Sequence, residues 1–345
     1  MHARIAAAGL AALVLALCGG SRAQAQGRTF TLQATPATVA WGHYDATTKP
    51  VLTIRPGDTV IFHTLLTNSP TGLERAGVAP DQVEPALREV FAKVPAADRG
   101  PGGHILTGPV FVEGAEPGDT LEIRIKRIEL AIPYAYNGFR YGAGILTDEF
   151  PYARTKIIPL DRQAMVARFA PGVTIPLRPF FGSMGVAPTP ALGRYDSTPP
   201  TMIGGNMDNK ELVEGTTLYL PVFNTGALFE IGDGHAGQGN GEVDVTALET
   251  SLVGTLEFHL IKGTRQAYPR AETPTHYIAM GFDDDLSIAA HKAVREMVDF
   301  LVATKGFSRD EAYMLVSVAG DVDVTEVVDR NKGVHVMMPK AIFAK

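Results

Sequence analysis

A short glycine-rich stretch, residues 233–242, gathers most of the groups in this chain that could perform chemistry. It reads Asp-Gly-His-Ala-Gly-Gln-Gly-Asn-Gly-Glu, and so brings an imidazole, two carboxylates and amide groups within ten residues. Glycine has no Cβ and adopts positive φ angles, so this backbone can turn tightly and aim these groups at one point. The alternative is an ordinary surface turn, because glycine, asparagine and aspartate are common turn residues. We favour a functional site, since loops beside apolar strands often carry catalytic groups.

A second glycine-tethered cluster, Gly-Gly-Asn-Met-Asp, ends at Asp208 and offers one carboxylate and one amide. Asp208 and Asp233 could bind a hard or borderline cation, and His235 could add a nitrogen ligand, because zinc accepts both kinds of donor. The competing interpretation is that the aspartates only cap a turn or helix, as aspartates often do. Asn206 and Gln238 are predicted to hold a small polar substrate through amide hydrogen bonds.

The sequence disfavours several nucleophilic mechanisms. It lacks the Gly-x-Ser-x-Gly pattern of a nucleophile elbow, and the glycine-flanked Ser183 has the wrong spacing for one. For Ser183 a turn role is therefore favoured. His-x-x-x-His zinc pairs and a phosphate-binding loop are absent as well. The remaining hydrolytic options are a water activated by a metal or by a carboxylate.

Two further carboxylates are candidates for proton transfer. Glu242 ends the glycine-rich stretch, and Glu113 precedes a strongly predicted strand from which it could reach the site. A structural role is favoured for four other titratable residues, Glu249, His259, His63 and His104.

Composition limits the class of protein. The 345 residues are 45% hydrophobic and 20% charged, which is typical of a soluble globular protein. The net charge is −6 and no cluster of lysine and arginine occurs, so nucleic acid is not expected as a partner. Beyond the first 25 residues no apolar run approaches the ~20 residues of a membrane helix, so we expect no membrane association once the leader is removed.

The first 25 residues are predicted to be a signal peptide. Arg4 is followed by the apolar run Ile5–Leu17 and by the small-residue cleavage pattern that ends at Ala25. We therefore expect residues 26–345 to be periplasmic or secreted. Lipidation at Cys18 is disfavoured because Leu17 is bulky. Since Cys18 is the single cysteine, the mature chain would have no disulfide, thiolate metal site or cysteine nucleophile.

Strand patterns dominate up to about residue 274. The clearest is 119–130, where apolar residues alternate with charged ones, as in a strand with one buried and one wet face. The other predicted strands are 30–39, 51–66, 216–222, 254–262 and 334–338. Many short strands with abundant glycine and proline predict a mainly β protein with a β-sandwich or barrel-like body.

Helical patterns are concentrated near the C-terminus. Residues 287–304 have apolar residues at helical spacing and are followed by Gly306 as a stop. Ser308 and Glu311 then fit a capping box that opens a shorter helix. A weaker helix is predicted over 82–93, with its proline tolerated in the first turn. The prediction is thus a single catalytic domain over 26–345, β-rich to about 274 and α+β over 275–345.

Five motifs in order resemble the signatures of the acetamidase/formamidase family. They are residues 108–119, residues 179–188, Pro199-Pro200 with residues 204–208, residues 226–229 and residues 233–242. The similarity is strong over residues 100–260 and weaker from 275 to the end. The sequence departs from the family pattern at Asn240, where an aspartate is expected, and in Leu73–Gly100, which is longer than usual. The export signal is also unusual for this family.

The resemblance implies a β-rich fold, usually dimeric, that hydrolyses short amides to ammonia and a carboxylate. It also implies a divalent cation, zinc or calcium, near Asp208 and His235. Our hypothesis is that Asp208, Asp233 and His235 hold this cation, which polarises the amide and activates a water. Glu113 or Glu242 then supplies a proton to the departing nitrogen, because an unprotonated amide nitrogen leaves poorly.

In this hypothesis Phe180 and Phe181 line the substrate pocket, and the binding partner of the protein is a small amide. One alternative is an exported amide-binding protein without catalysis, suggested by Asn240 and the leader. Another is a hydrolase of a larger amide or carbamate, with Leu73–Gly100 as a lid.

Overall fold

The computed structural model describes residues 27–344, so the predicted signal peptide and Cys18 lie outside the described residues. Within this range the chain is mainly β, with twenty-one strands and four α-helices. The strands are β1 (Thr29–Leu32), β2 (Val39–Trp41), β3 (His43–Tyr44), β4 (Leu52–Ile54), β5 (Thr59–His63), β6 (Ile105–Val112), β7 (Thr120–Leu130), β8 (Tyr134–Phe139), β9 (Arg154–Asp161), β10 (Val166–Ala170), β11 (Val173–Pro176), β12 (Phe180–Gly185), β13 (Tyr195–Asp196), β14 (Gly204–Asn206), β15 (Thr217–Pro221), β16 (Phe229–His235), β17 (Leu252–Ile261), β18 (Arg270–Glu272), β19 (His276–Asp283), β20 (Asp321–Asp329) and β21 (Asn331–Pro339). The helices are α1 (Pro70–Arg75), α2 (Pro85–Lys93), α3 (Leu286–Lys305) and α4 (Arg309–Ala319).

Two sheets pack face to face and confirm the predicted sandwich-like body. The larger has nine strands in the order β1-β5-β17-β7-β15-β18-β19-β21-β20, and the smaller has β14-β12-β16-β6-β2 with β4 paired to β6. Phe62 and Phe258 from the larger sheet and Phe229 from the smaller form edge-to-face pairs with ring centroids 5.2–6.1 Å apart. Aromatic pairs of this geometry stabilise the core beyond the area they bury.

The alternation seen in the sequence explains the central strand β7. Leu121, Ile123 and Ile125 are buried in the core, whereas Arg124 and Lys126 on the other face are exposed. The first predicted strand, 30–39, is shorter than expected. It ends at Leu32 because residues 35–38 form a turn, in which the Thr38 amide donates to the Thr35 carbonyl at 3.0 Å.

The C-terminal section is α+β, as predicted. Helix α3 ends at Gly306, which has the left-handed φ of 75° that favours glycine. Helix α4 begins with the predicted capping box, in which Ser308 and Glu311 each accept the other's backbone N–H. Helix α3 packs on strands β19 and β21 of the larger sheet, and α4 packs on α3 and β21, through a separate apolar cluster. The section therefore extends the large sheet and carries its last hairpin, β20–β21, which we call the C-terminal hairpin.

The long segment Leu73–Gly100 packs against the body of the protein. Leu73, Leu87 and Val90 are fully buried in an apolar cluster with Trp41, and the Arg99 guanidinium lies 3.9 Å from the Trp41 ring centroid. The segment is therefore anchored by its own core. Across residues 27–344 the structure has no helix both long and apolar enough to cross a membrane.

Candidate active site

The site is built on strand β16, which carries Asp233 and His235 two residues apart and hence on one face. On the paired strand β12, Gly182 lies opposite Asp233. A Cβ at Gly182 would come within 2.4 Å of Asp208 Oδ1, 2.6 Å of Asp233 Oδ2 and 2.9 Å of His235 Cε1. The absence of a side chain at this position is what lets the two carboxylates and the imidazole converge.

His235 is the centre of the site and is fully buried. Its Nε2 lies 3.3 Å from Asp233 Oδ2, 3.3 Å from Glu249 Oε1 and 4.0 Å from Glu242 Oε1. Its Nδ1 lies 3.9 Å from Asp208 Oδ1. We call His235 with these four carboxylates the His235 cluster.

Gln238 fixes the orientation of the imidazole. Its Nε2 donates to the Asp208 carbonyl at 2.8 Å, so its Oε1, 2.9 Å from His235 Nδ1, is the acceptor of an Nδ1–H. This leaves His235 Nε2 facing the carboxylates. A histidine held through one nitrogen in this way presents the other for metal binding or proton transfer.

Asp208 is tied to the C-terminal hairpin through Asn206. The Asn206 amide Nδ2 lies 2.6 Å from Asp208 Oδ2 and 2.6 Å from Asp329 Oδ2 and donates to both. Asp208 Oδ1 and Asn206 Oδ1 are buried without a hydrogen-bond partner. Both unpartnered oxygens are acceptors, so the site has capacity for a cation or for a donor group of a ligand.

The C-terminal hairpin also holds the loop that carries Glu242. Gly241 forms a parallel bridge with Glu326, and its amide donates to the Thr325 carbonyl at 2.9 Å. Glu326 Oε2 accepts the amides of Val328 and Asp329, which shapes the turn that presents Asp329. The last two strands thus help to complete a site whose centre lies about 90 residues earlier in the sequence.

Three residues of the His235 cluster have strained backbones. Asp208, Asp233 and Glu242 have φ values of 47°, 55° and 42°, in the left-handed region that residues with a Cβ seldom adopt. Such strain costs of order 1–3 kcal/mol per residue and persists where the surrounding structure over-determines it, commonly at functional sites.

The cluster opens to a cavity of about 200 Å³. Asp233, Glu242, Glu249 and Asn206 contribute to its wall. His104 lines it as well, with its Nε2 3.8 Å from Asp233 Oδ2 and its Nδ1 within 3.1 Å of the Ser197 carbonyl. The cavity is smaller than the roughly 300–1,000 Å³ of pockets for drug-sized ligands, so it suits a small molecule.

Burial and crowding shift the protonation equilibria of the cluster. Burial raises the pKa of Asp208 and of Glu242 well above their ordinary values, and it raises that of Glu249. Burial alone would also raise the pKa of Asp233, but the histidines beside it hold that pKa below its usual range. Burial would lower the pKa of His235, and the Glu249 and Asp233 carboxylates instead raise it well above normal.

The hairpin carboxylates behave in the same way. Burial, aided by neighbouring negative charge, raises the pKa of Glu326 to about 8 and that of Asp329 to about 6. Carboxyl groups that hold protons near neutral pH can donate them during a reaction, and groups of this kind concentrate at active sites.

The donor set fits a divalent metal. Two groups of three residues, Asp208–His235–Glu242 and Asp233–His235–Glu249, have ligand atoms that all lie within 4.8 Å of one another. His235 Nε2 is buried without a hydrogen-bond partner. Several buried carboxylates around one imidazole carry an excess of negative charge that a cation would compensate.

The structure brings together most of the predicted site residues. Asp208, Asp233, His235, Glu242 and Asn206 meet at the cavity or directly beneath it. Glu113 does not join them: its carboxylate is exposed and pairs with Arg55 at 3.0 Å. It follows the end of β6, whereas Leu106 at the opposite end pairs beside Asp233, so roughly 25 Å of strand separates it from the site. The proposed proton transfer from Glu113 is therefore abandoned.

Two substrate-binding predictions also change. Both ends of the Gln238 amide are occupied by His235 and Asp208, so Gln238 positions the imidazole rather than a substrate. Phe180 packs edge-on against His235 with centroids 5.0 Å apart. Phe181 points the other way, into the core against Gly254. The predicted aromatic wall thus reduces to one ring beside the imidazole.

Four functional residues were missed or given structural roles. Glu249 and His104 belong to the site, and Glu326 and Asp329 reach it from the C-terminal hairpin. The available signal was Glu326 within the mostly β-branched run 322–328, with Asp329 directly after it. For Glu249 and His104 no local pattern distinguishes a buried functional group from a structural one.

Fold and site together define a class: a mainly β protein whose two largest sheets pack face to face, with a buried histidine–carboxylate centre that opens to a small cavity. The profile of the Acetamidase/Formamidase family matches residues 101–197 and 193–345, which is most of the chain. The chain therefore belongs to the acetamidase/formamidase family.

Individual relatives agree with this assignment. Acetamidase from Mycolicibacterium smegmatis is 30% identical over 232 residues, covering 50% of this chain and 57% of that protein. Formamidase from Methylophilus methylotrophus is 25% identical over 314 residues, covering 70% and 77%. The crystal structure of acetamidase from Yersinia enterocolitica superposes with a TM-score of 0.79 at 28% identity, covering 94% of this chain and 95% of that one. The alignment with the first relative thus leaves over two fifths of that protein unmatched.

Proposed function

We propose that the protein is an amidase that hydrolyses short linear amides to ammonia and a carboxylate. The observation that carries the proposal is the convergence of Asp233, Glu242 and Glu249 on the unpartnered Nε2 of His235, with Asp208 near its Nδ1, beside a cavity of about 200 Å³. The names of the relatives, acetamidase and formamidase, agree with a substrate of this size.

We infer that a divalent cation binds at the His235 cluster. Asp233, His235 and Glu249 form one group of ligands that would hold it. Asp208 and Glu242 form a second possible group with the same His235. A nitrogen donor among carboxylates favours zinc, because calcium takes oxygen ligands. Such an ion polarises an amide carbonyl and lowers the pKa of a water.

The chain's own residues supply binding and proton transfer. Asn206 Oδ1, which has no partner in the protein, can accept a hydrogen bond from the substrate NH₂ group. Glu242, whose pKa is raised by burial, can hold the proton that the departing nitrogen needs. Gln238 keeps His235 in one orientation throughout.

The test is ammonia release by the purified, metal-replete protein from formamide, acetamide, propionamide and bulkier amides. We expect turnover of the small amides, a decline with acyl size, loss after chelation and recovery on adding zinc. Silence across the panel would contradict the hydrolysis of unsubstituted short amides. Full activity after complete metal removal would instead favour a carboxylate-activated water.

The binding-protein alternative loses part of its motivation. Asn240 is exposed, and its amide lies 3.4 Å from Asp323 rather than in the His235 cluster. An asparagine at this position therefore removes no carboxylate from the site. Calorimetry separates the two functions, because a binder gives saturable heat with amides and releases no ammonia.

We also propose export and dimerisation, on the basis of the predicted signal peptide and the family resemblance. Cell fractionation would locate the protein in the periplasm or medium, and light scattering would give a mass of two chains. A cytoplasmic protein or a stable monomer would contradict the respective proposal.

A further inference from the structure

The wall of the cavity carries hydrogen-bond donors as well as carboxylates. Arg140 lies immediately after strand β8, and Thr67 and Thr198 contribute hydroxyl groups to the same wall. Among residues 27–344 no ion pair within 4.0 Å involves the Arg140 guanidinium, and its side chain makes no hydrogen bond. Its charge is therefore not neutralised by direct contact with the acids of the His235 cluster.

The charge of Arg140 acts on the interior of the cavity. Tyr136 lines the same wall, and its hydroxyl donates to the Thr67 carbonyl at 2.6 Å. Burial raises the pKa of Tyr136 and nearby carboxylates raise it further, whereas Arg140 lowers it. The guanidinium is thus close enough to influence a buried hydroxyl beside Thr67.

Thr67 supplies a second donor at the same place. Its Oγ1 is buried and has no hydrogen-bond partner in the protein, although buried hydroxyls are nearly always paired. A guanidinium and an unpaired hydroxyl that belong to the lining of one cavity are donors suited to a carboxylate, which accepts charge-assisted and bidentate hydrogen bonds from arginine.

We propose that Arg140 and Thr67 form a carboxylate subsite at the cavity, so that the preferred substrates are short amides bearing a second, anionic group. Half-amides of small dicarboxylic acids, such as malonamate and succinamate, have this chemistry. This inference rests on the proposed amidase function and names the substrate class of that same site.

Neighbouring positive groups offset part of the negative charge of the His235 cluster. Asp233 lies near both His104 and His235, and a bound divalent cation would offset two further charges. Arg140 is then a positive group that remains for the substrate. Arg140 is exposed, so a neutral amide leaves it hydrated and makes no charge-assisted hydrogen bond with it. A neutral amide therefore lacks the binding free energy that a carboxylate gains there.

The experiment compares each anionic amide with a neutral amide of the same shape. Malonamate is paired with 3-methylbutanamide, and succinamate with 4-methylpentanamide, using metal-replete enzyme. Wild-type protein should show a kcat/KM ratio, anionic over neutral, well above one, and this ratio should fall as salt is added. Arg140→Gln should lower the ratio about 10- to 100-fold, chiefly through the KM of the anionic amide.

Further variants separate charge from geometry. Arg140→Lys should keep part of the preference, because lysine retains the charge but not the bidentate fork. Thr67→Val should lower the ratio by a smaller factor. Arg162→Gln, which removes an exposed arginine in the turn after β9, is the matched control and should leave the ratio unchanged.

The outcomes distinguish this inference from the proposed function. No ammonia from any amide, neutral or anionic, would refute the amidase itself. Turnover of neutral amides with a wild-type ratio at or below one, or a ratio that Arg140→Gln does not change, would overturn the carboxylate subsite while leaving the amidase intact.

Discussion

Strand β16 buries acidic groups at both ends, and the two ends behave differently. Near its C-terminal end, Asp233 and His235 meet Asp208, Glu242 and Glu249 at a cavity. At its start, Glu230 is fully buried, and neither of its oxygens has a hydrogen-bond partner.

The neighbours of Glu230 do not engage it. The Tyr44 hydroxyl bonds to Ser183 at 2.9 Å, and Asp45 adds only like charge. Burial raises the pKa of Glu230 well above normal, just as it does for Asp208 and Glu242. A shifted pKa is thus common to both ends, and what distinguishes the site is the meeting of several donors and acceptors at a space that admits a ligand.

The sharpest test of this comparison is His235→Ala. Removing the imidazole takes away the nitrogen donor on which both possible ligand groups depend. Ammonia release should fall by more than the roughly 10–100-fold seen when a residue that supports a metal ligand is changed. Bound metal, measured by elemental analysis, should fall with it, while circular dichroism stays native. A folded His235→Ala protein with undiminished turnover would refute the assignment of the site.

Gly182→Ala tests the close approach that creates the His235 cluster. Its methyl group would lie 2.4 Å from Asp208 Oδ1 and 2.6 Å from Asp233 Oδ2, so the carboxylates must separate. We expect a loss of activity of about 10–100-fold, comparable with loss of a residue that orients a metal ligand. Gly239→Ala is the matched control, because a Cβ there meets nothing within 4 Å. Equal activities in the two variants would contradict the requirement for a residue without a side chain at position 182.

Gln238→Ala should have a moderate effect. It removes the acceptor that orients His235 Nδ1–H and frees the Asp208 carbonyl. Metal affinity and kcat should fall about tenfold, at the lower end of effects on groups that hold a metal ligand. Gln238→Glu keeps the acceptor and should recover part of the loss. If Gln238→Ala alters only KM for the amide, Gln238 contacts the substrate after all.

Glu230→Gln should change stability rather than activity. The pKa of the buried carboxyl is raised above its ordinary 4.5, so between these two values the folded state binds more protons than the unfolded state. The contribution of Glu230 to the free energy of unfolding therefore falls as pH rises above 4.5, with a slope approaching about 1.4 kcal/mol per pH unit. Glutamine cannot ionise and removes this dependence.

Urea unfolding of both proteins at pH 5, 6 and 7 measures the effect. The Gln variant should gain stability relative to wild type across the series and keep its ammonia release. A difference in the free energy of unfolding between the two proteins that does not grow with pH would show that the two ends of β16 are less distinct than the structure indicates. A large loss of turnover would show the same.

Local patterns predicted the regular elements well. The apolar alternation of β7 and the capping box of α4 depend on contacts within a few residues, and both appear in the structure as predicted. The break between β1 and β2 was not predicted, because it depends on a turn stabilised by Thr38.

The site was predicted only where its residues are close in sequence or belong to a family motif. Asp233, His235 and Glu242 share one glycine-rich stretch. Glu249 joins them because backbone bridges connect it to both Tyr136 and His235, a result of strand pairing that no short motif encodes. Asp329 reaches Asn206 across 123 positions. Glu113 was misplaced because the sequence does not show at which end of its strand the site lies.

The C-terminal hairpin makes the candidate site depend on contacts between residues that are distant in sequence. Glu326 pairs with Gly241, and Asp329 accepts a hydrogen bond from Asn206 across 123 positions. Contacts of this kind require the closure of long loops and are therefore slow to form during folding. The site is thus complete only once segments far apart in the chain have come together.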